Sequence, residues 1–383
     1  MDFSLSSEQT LIRDNTARFA QERLAPGARA REEAHQIEHD LIRELAEQGL
    51  LGVNIAAEHG GSEAGVVAYA LALREVAGAD ASVAVTMAVT NMVAEVIARF
   101  GSKDQKTQYI PNLVEGTYFG GAFALSETGS GSDAASLSTR AEKDGDDWIL
   151  SGEKMWITSG DQAGVIVVWA RTADTGPKGI TCFLVEGDTP GLSAGKPEEK
   201  MGLRASHTVA LNLDQVRVPE KQRLGEVGEG FKIAMAALDG GRIGIGAQAC
   251  GIASAALRES IRYAQERQQF NKSLDKFQAI QFKLANMGTN LEAAWLLVLQ
   301  AAWLKEQGQP FSPKAAMAKL LASEKANDTV REAVQIFGGY GYTEEFSVAR
   351  FYRDCRVTQI YEGTSEIQRL VIARALLKEA TQN

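Results

Sequence analysis

Apolar residues recur at three- and four-residue steps through residues 6–115, as in LIRDNTARFAQERL and HDLIRELAEQGLLGV, with Gly or Pro between the blocks. That period predicts a set of amphipathic helices. From about residue 120 the texture changes to short runs rich in β-branched and aromatic residues: DDWILSGEKMWITSG, GVIVVWART, GITCFLVEG and TVALNLDQVRVP. Turn chemistry (DGD, SGD, TGPKG, GDTPG) separates them too closely for intervening helices, which predicts an antiparallel sheet or small barrel. After GEVGEGF the helical period returns nearly to the end, and several segments are rich in Ala and Leu on all sides, as buried bundle helices are. The expected fold is mainly α with a central β domain: an N-terminal helical domain over 1–118, a middle β domain over 119–227 and a C-terminal helical bundle over 228–383.

Composition narrows the chemistry without naming it. The chain has 383 residues, 45% hydrophobic and 23% charged, which is globular. Its formal net charge of −9 gives no electrostatic footprint for a nucleic-acid backbone. Cys182, Cys250 and Cys355 are widely spaced with no CxxC, so free thiols in a reducing compartment are expected. The start MDFSLSSEQTLIRD carries no basic segment before an apolar one, and no stretch approaches the ~20 apolar residues of a bilayer span, so a cytoplasmic protein without a membrane span is expected. His35 and His39 stand four apart on a charged segment with no third ligand in view, and read as a surface pair; no metal site is expected.

Four segments carry candidate chemistry. In residues 123–136, FALSETGSGSDAAS, a Ser/Gly turn follows an apolar strand and is either a flexible connection or a donor-rich loop for a polar ligand. Its GxGxxA spacing (Gly129, Gly131, Ala134) mimics a dinucleotide-binding turn, but the long helix such a turn requires does not follow. In EKMWITSG, strict strand alternation puts Trp156 and Thr158 on one face, as either sheet core or a seat for a flat heteroaromatic ligand. QIFGGYGY, residues 335–342, is an apolar helix running into glycines, where the helix ends and where backbone can approach a ligand. In QIYEGTSEIQRLVIARALL, Glu362 precedes a helix that Thr364 or Ser365 can cap, and is either a helix-dipole partner or a desolvated base.

Together and in this order, ALSETGSGSD, the Trp156–Thr158 strand, QIFGGYGY and RDCRVTQIYEGTSEIQ resemble the acyl-CoA dehydrogenase family of FAD flavoenzymes over essentially the whole chain. Thr128 stands where Pro is commoner. GFKIAMAALDGGRIGIGAQACGIA and FQAIQFKLANM resemble most its short-chain, butyryl-CoA branch. The resemblance implies an N-terminal helical bundle, a middle β-barrel and a C-terminal four-helix bundle. It implies α,β-dehydrogenation of an acyl-CoA thioester to the trans-2-enoyl-CoA, of short to medium chain, with electrons passed to an electron-transferring flavoprotein.

By the same resemblance Glu362 is the catalytic base. Leu125, Ser126, Trp156, Thr158, Thr364 and Glu366 contact FAD, Arg267, Phe270 and Gln278 reach the FAD of a neighbouring subunit, and Gln335, Ile336, Phe337, Gly338 and Gly339 meet the adenosine diphosphate part. Ser132, Asp239, Arg242, Tyr361 and Gly363 line the substrate site. A homotetramer, a dimer of dimers, is implied as well. Family branches acting on isovaleryl and long-chain acyl groups take the base from the position before the equivalent of Arg242; here that position is Gly241, preceded by Gly240, so Glu362 is the one candidate. An acyl-CoA oxidase, a member specialised for a branched or cyclic acyl-CoA, and a non-catalytic assembly factor are the alternatives. The absence of Arg in SVAVTMAVTNMVA disfavours a dicarboxylic substrate.

Overall fold

In the computed structural model, which describes residues 4–381, six helices come first: α1 Ser7–Phe19, α2 Ala28–Ala34, α3 His39–Glu47, α4 Gly65–Ala79, α5 Ala81–Phe100 and α6 Lys103–Val114. Two start at capping boxes, in which Ser6 and Gln9 at α1, and Ser102 and Gln105 at α6, each exchange a side-chain and a backbone hydrogen bond. Asp80 caps α5 by accepting from the Ser82 and Val83 N–H groups.

By length and composition α5 is apolar enough to cross a bilayer, which corrects the expectation that no stretch approaches such a span. Its apolar window is 89% buried inside the fold, as in the core helix of a globular protein.

The strands β1 Gly121–Ala124, β2 Arg140–Asp144, β3 Asp147–Thr158, β4 Val165–Arg171, β5 Ile180–Glu186, β6 Leu192–Ala194, β7 Thr208–Pro219 and β8 Arg223–Leu224 form one sheet in the order β6-β7-β3-β2-β4-β5-β8, with β1 also on β4. Most ladders are antiparallel, but β1 and β2 both run parallel to β4, so the sheet is mixed rather than purely antiparallel. β1 enters from the helical domain and not through a hairpin, and only a hairpin imposes antiparallel pairing. The unbroken apolar run of β4 follows from burial on both faces. Val165, Val167 and Trp169 join the helical core, while Ile166, Val168 and Ala170 join a second core inside the β domain.

The C-terminal part contains α7 Gly230–Glu266, α8 Gln278–Glu306, α9 Ser312–Phe337, α10 Ser347–Arg356 and α11 Ser365–Ala380. Helix α7, roughly 55 Å long at 1.5 Å per residue, packs against α4, α5, α8 and α9 and joins the domains into one body. A buried ionic junction ties the same parts together. Arg31 pairs with Asp80 at 2.8 Å, Arg353 with Glu32 at 2.6 Å, and Asp354 accepts the Leu203 N–H at 2.7 Å.

Candidate active site

Glu362 lies in the turn between α10 and α11 with φ 52°, followed by Gly363 at φ 87°. The left-handed region costs a non-glycine residue on the order of 1–3 kcal/mol and persists only where the surroundings enforce it. Here they do. Buried Lys319 on α9 donates to the carbonyls of Tyr361 (2.9 Å) and Gly363 (2.5 Å). The Gln368 amide donates to the carbonyls of Glu362 (3.3 Å) and Gly363 (2.8 Å), and the Tyr361 hydroxyl donates to Gln248 Oε1. The Thr364 hydroxyl, accepting from the Ile367 N–H, starts α11.

The Glu362 carboxylate projects from this turn against α7. Among the described residues its Oε2 is buried without a hydrogen-bond partner. Burial pushes its pKa up to about 7, against the opposing pull of the Lys319 and Arg242 charges. Helix α7 leaves room for it because Gly241 has no side chain: a Cβ there would sit 2.0 Å from Oε2 and 3.3 Å from the Met92 sulfur. One residue on, buried Arg242 pairs with Asp239 at 2.5 Å, and Asp239 also accepts from the Ser312 hydroxyl at 2.8 Å. Arg242 Nε has no partner among the described residues, and burial lowers the guanidinium's pKa. Glu362, Tyr361, Gly363, Asp239 and Arg242 therefore form one constellation around a desolvated carboxylate and a desolvated cation.

A second group lines a groove of about 490 Å³ in which Arg267, Ile336, Phe337, Gly338 and Gly339 meet Tyr263 and Tyr340. Phe337 stacks on Tyr263 at 4.0 Å between centroids, and Arg267 lies over Tyr340 at 5.4 Å. A side chain at Gly338 or Gly339 would meet nothing within 4 Å, so the backbone there faces open space. Gln335 is exposed at the end of α9. Phe270, with φ 53° and 87% exposed, and exposed Gln278 lie outside this groove.

The third group lies on the β domain. Leu125 is buried and Ser126 half-buried just past β1. Trp156 is 59% exposed, with buried Ile157 between it and half-buried Thr158. Trp156 and Thr158 thus share the face away from the β core, but strict alternation is not the reason. The β3–β7 register slips between Lys154 and Ile157, and Trp156 takes φ 65°, so both Lys154 and Ile157 turn inward. Ser132 and Glu366 are exposed.

Sequence reasoning missed the groups that hold these segments. Glu127 accepts from the N–H and hydroxyl of both Ser138 and Thr139, and pairs with fully buried Lys154 at 2.8 Å. Lys154 also donates to the Leu125 carbonyl, and the Met155 N–H to the Ser126 carbonyl. Lys319 and Gln368 play the corresponding part beneath Glu362. The available signal was a lone Lys among alanines in AAMAKLLA, at a position where the helical period puts core.

Three family models match this chain: the acyl-CoA dehydrogenase N-terminal domain over residues 6–117, the middle domain over 122–216 and the C-terminal domain over 228–377. The mitochondrial short-chain specific acyl-CoA dehydrogenase of Bos taurus is 46% identical over 376 residues, covering 98% of this chain and 91% of that protein. Among solved structures, butyryl-CoA dehydrogenase from Megasphaera elsdenii is similar with a TM-score of 0.96 and 46% identity, over 98% of this chain and 100% of that one. A chain in the structure described as the electron transferring flavoprotein of Acidaminococcus fermentans is similar with a TM-score of 0.97 and 44% identity, over 98% and 100%.

Proposed function

The chain belongs to the acyl-CoA dehydrogenase family, oxidoreductases acting on CH–CH donors, and from that premise we propose that it converts a short- to medium-chain acyl-CoA to the trans-2-enoyl-CoA with Glu362 as base. The observation that carries this reading is the Glu362 carboxylate itself: buried, unpartnered at Oε2 and raised to about 7, it is set to take a weakly acidic proton near neutral pH. A merely structural carboxylate would be paired.

The residues present fit FAD. An indole 59% exposed on a bulged strand, an open Gly338–Gly339 backbone and the exposed Arg267 guanidinium are an apolar face and phosphate donors of the kind a dinucleotide needs. Leu125, Ser126, Trp156 and Thr158 would hold the ring, with Thr364 and Glu366. Arg267, Phe270, Gln278 and Gln335 through Gly339 would hold the diphosphate end, with Arg267, Phe270 and Gln278 reaching across to a neighbouring subunit. Bound there, FAD supplies the acceptor for the hydride that leaves Cβ.

The protein's own part is the proton. Glu362 takes it from Cα, and the Glu362 backbone N–H meets the thioester oxygen as negative charge develops there. Asp239 and Arg242 line the channel for CoA, Ser132 meets its phosphates or those of FAD, and Tyr361 and Gly363 border the acyl group. Met92 stands beside the carboxylate, at the end of the Ala- and Val-rich stretch of α5 that would line the acyl pocket. The name of the bovine relative supports a short acyl chain. Similarity to a chain from an electron transferring flavoprotein structure supports such a flavoprotein as electron acceptor.

Exposed Phe282, Leu296 and Trp303 on α8, with Leu370, Leu376 and Leu377 on α11, support burial against further copies in a homotetramer. The three buried free thiols suit the cytoplasm.

The test is Glu362→Gln in FAD-loaded protein. Flavin bleaching by butyryl-CoA is expected to fall by ~10²–10⁴, the usual worth of a general base, with FAD still bound. Bleaching at the wild-type rate would overturn the assignment.

A further inference from the structure

Lys319 is fully buried, on a stretch of α9 where Ala315, Ala316, Ala318 and Ala322 are all in the core. A buried ammonium is usually compensated by a carboxylate at contact distance. The hydrogen-bond partners of Lys319 are instead two carbonyls, those of Tyr361 and Gly363, one on each side of Glu362. Gln368 takes the carbonyls of Glu362 and Gly363, so three consecutive carbonyls are turned onto these two side chains. This arrangement holds the left-handed turn from which Glu362 reaches the space beside Gly241.

We propose that Lys319 is a positioning residue for the reaction: by gripping the carbonyls on both sides of Glu362 it fixes the carboxylate in its reactive seat, and its charge favours the ionised form that takes the substrate proton. The inference rests on the reading of Glu362 as the base.

The electrostatics agree in sign. Lys319 faces Glu362 from the turn, Arg242 from α7, Glu366 from α11 and Glu324 from α9; the carboxylates raise its pKa, Arg242 lowers it, and burial, the largest influence, brings it down to about 8. It therefore stays protonated at neutral pH. Its charge lowers the pKa of Glu362, as does that of Arg242. Removing it leaves burial less opposed, and the Glu362 pKa rises.

The experiment isolates the proton step from electron transfer. A thioester with α-hydrogens and no β-hydrogen, 3,3-dimethylbutyryl-CoA, can exchange its α-proton for deuterium in D₂O but cannot be oxidised. Exchange is followed by NMR against pH in the FAD-loaded full chain for wild type, Lys319→Met, Lys319→Gln and Glu362→Gln. Lys319→Met is expected to exchange at least about tenfold more slowly, with its acid limb about one pH unit higher, the effect of removing a nearby opposite charge. Lys319→Gln, a neutral donor, is expected to regain part of the plateau rate while keeping the shifted limb. It also carries the limb test alone if Lys319→Met does not fold. A wild-type limb in the Lys319 variants overturns the inference, including the case in which they only melt lower, while an inactive Glu362→Gln keeps the base reading intact. Wild-type exchange in Glu362→Gln overturns that reading instead.

Discussion

A Cβ on Gly241 would stand 2.0 Å from Oε2 of Glu362, so the helix position before Arg242 and the seat of the carboxylate claim the same volume. The family is expected to draw its base from one or other of these two chain positions. In this chain the second position carries no side chain, and the geometry gives the reason: the two are far apart in sequence and coincide in space.

Gly241→Ala is therefore expected to separate stability from activity. Alanine favours a helix interior over glycine by about 1 kcal/mol, which offsets part of any strain, yet its methyl group displaces the carboxylate. The melting temperature should stay near that of wild type while flavin bleaching by butyryl-CoA slows by about a hundredfold or more, on the scale of a general base's contribution. Parallel measurement of melting and bleaching checks it, and an unimpaired rate in the folded variant would show that the methyl group does not disturb the base.

The pH dependence of kcat/KM follows from burial of Glu362, which lifts its pKa to about 7. The base must be ionised, so kcat/KM should fall about tenfold per pH unit below that value and level off above it. A limb near the ordinary glutamate value of about 4.3 would mean that water reaches Oε2 in the working enzyme.

Much of this was legible in the chain. The change of period from helix to strand and back and the turn-rich β domain both follow from local chemistry. What stayed hidden depends on contacts distant in sequence. The alanines around Lys319 mark it as a buried lysine, but neither it nor Lys154 carries a local sign of the partner that awaits it across the fold. The bulge that turns both Lys154 and Ile157 inward defeats a strict period of two, although Trp156 and Thr158 still emerge on one face. The parallel pairing of β1 with β4 is set by where the helical domain delivers the chain, which no strand pattern records.

The Glu127–Lys154 pair predicts a non-additive response. Lys154 is fully buried and Glu127 is 5% exposed; Lys154 and the Ser138 and Thr139 donors hold Glu127 down to about 2 against its burial. Lys154→Met leaves that carboxylate buried without its counter-charge, a loss of about 3–5 kcal/mol for broken buried pairs. The double variant Glu127→Gln with Lys154→Met removes both charges and should be the more stable of the two. Because Lys154 also tethers the Leu125 carbonyl, both variants should retain FAD less well than wild type. Thermal melts of wild type, both single variants and the double, with flavin content, decide this, and a double-variant loss equal to the sum of the two single losses would mean that the pair is not coupled.

Asp354 gives the last prediction, on stability rather than catalysis. It is buried between α10 and the Leu203 loop, and burial, the largest influence, raises its pKa to about 7. Glu32 and Asp80 raise it further, while the Leu203 N–H and Arg350 lower it. An unfolded aspartate titrates near 3.9, so between about pH 4 and 7 the folded chain holds a proton that the unfolded chain has released. Stability attributable to this group therefore declines as pH rises through that window and is level above it, by at most on the order of 4 kcal/mol. Asp354→Asn keeps an oxygen for the Leu203 N–H and has no charge to bury. Relative to wild type, its melting temperature should climb from about pH 4 to about pH 7 and then hold constant, even if the added amide N–H groups lower its absolute value. Melting curves of both proteins across that range test the sign, and a constant difference would show that Asp354 stays ionised in the fold, with Arg350 outweighing Glu32, Asp80 and burial.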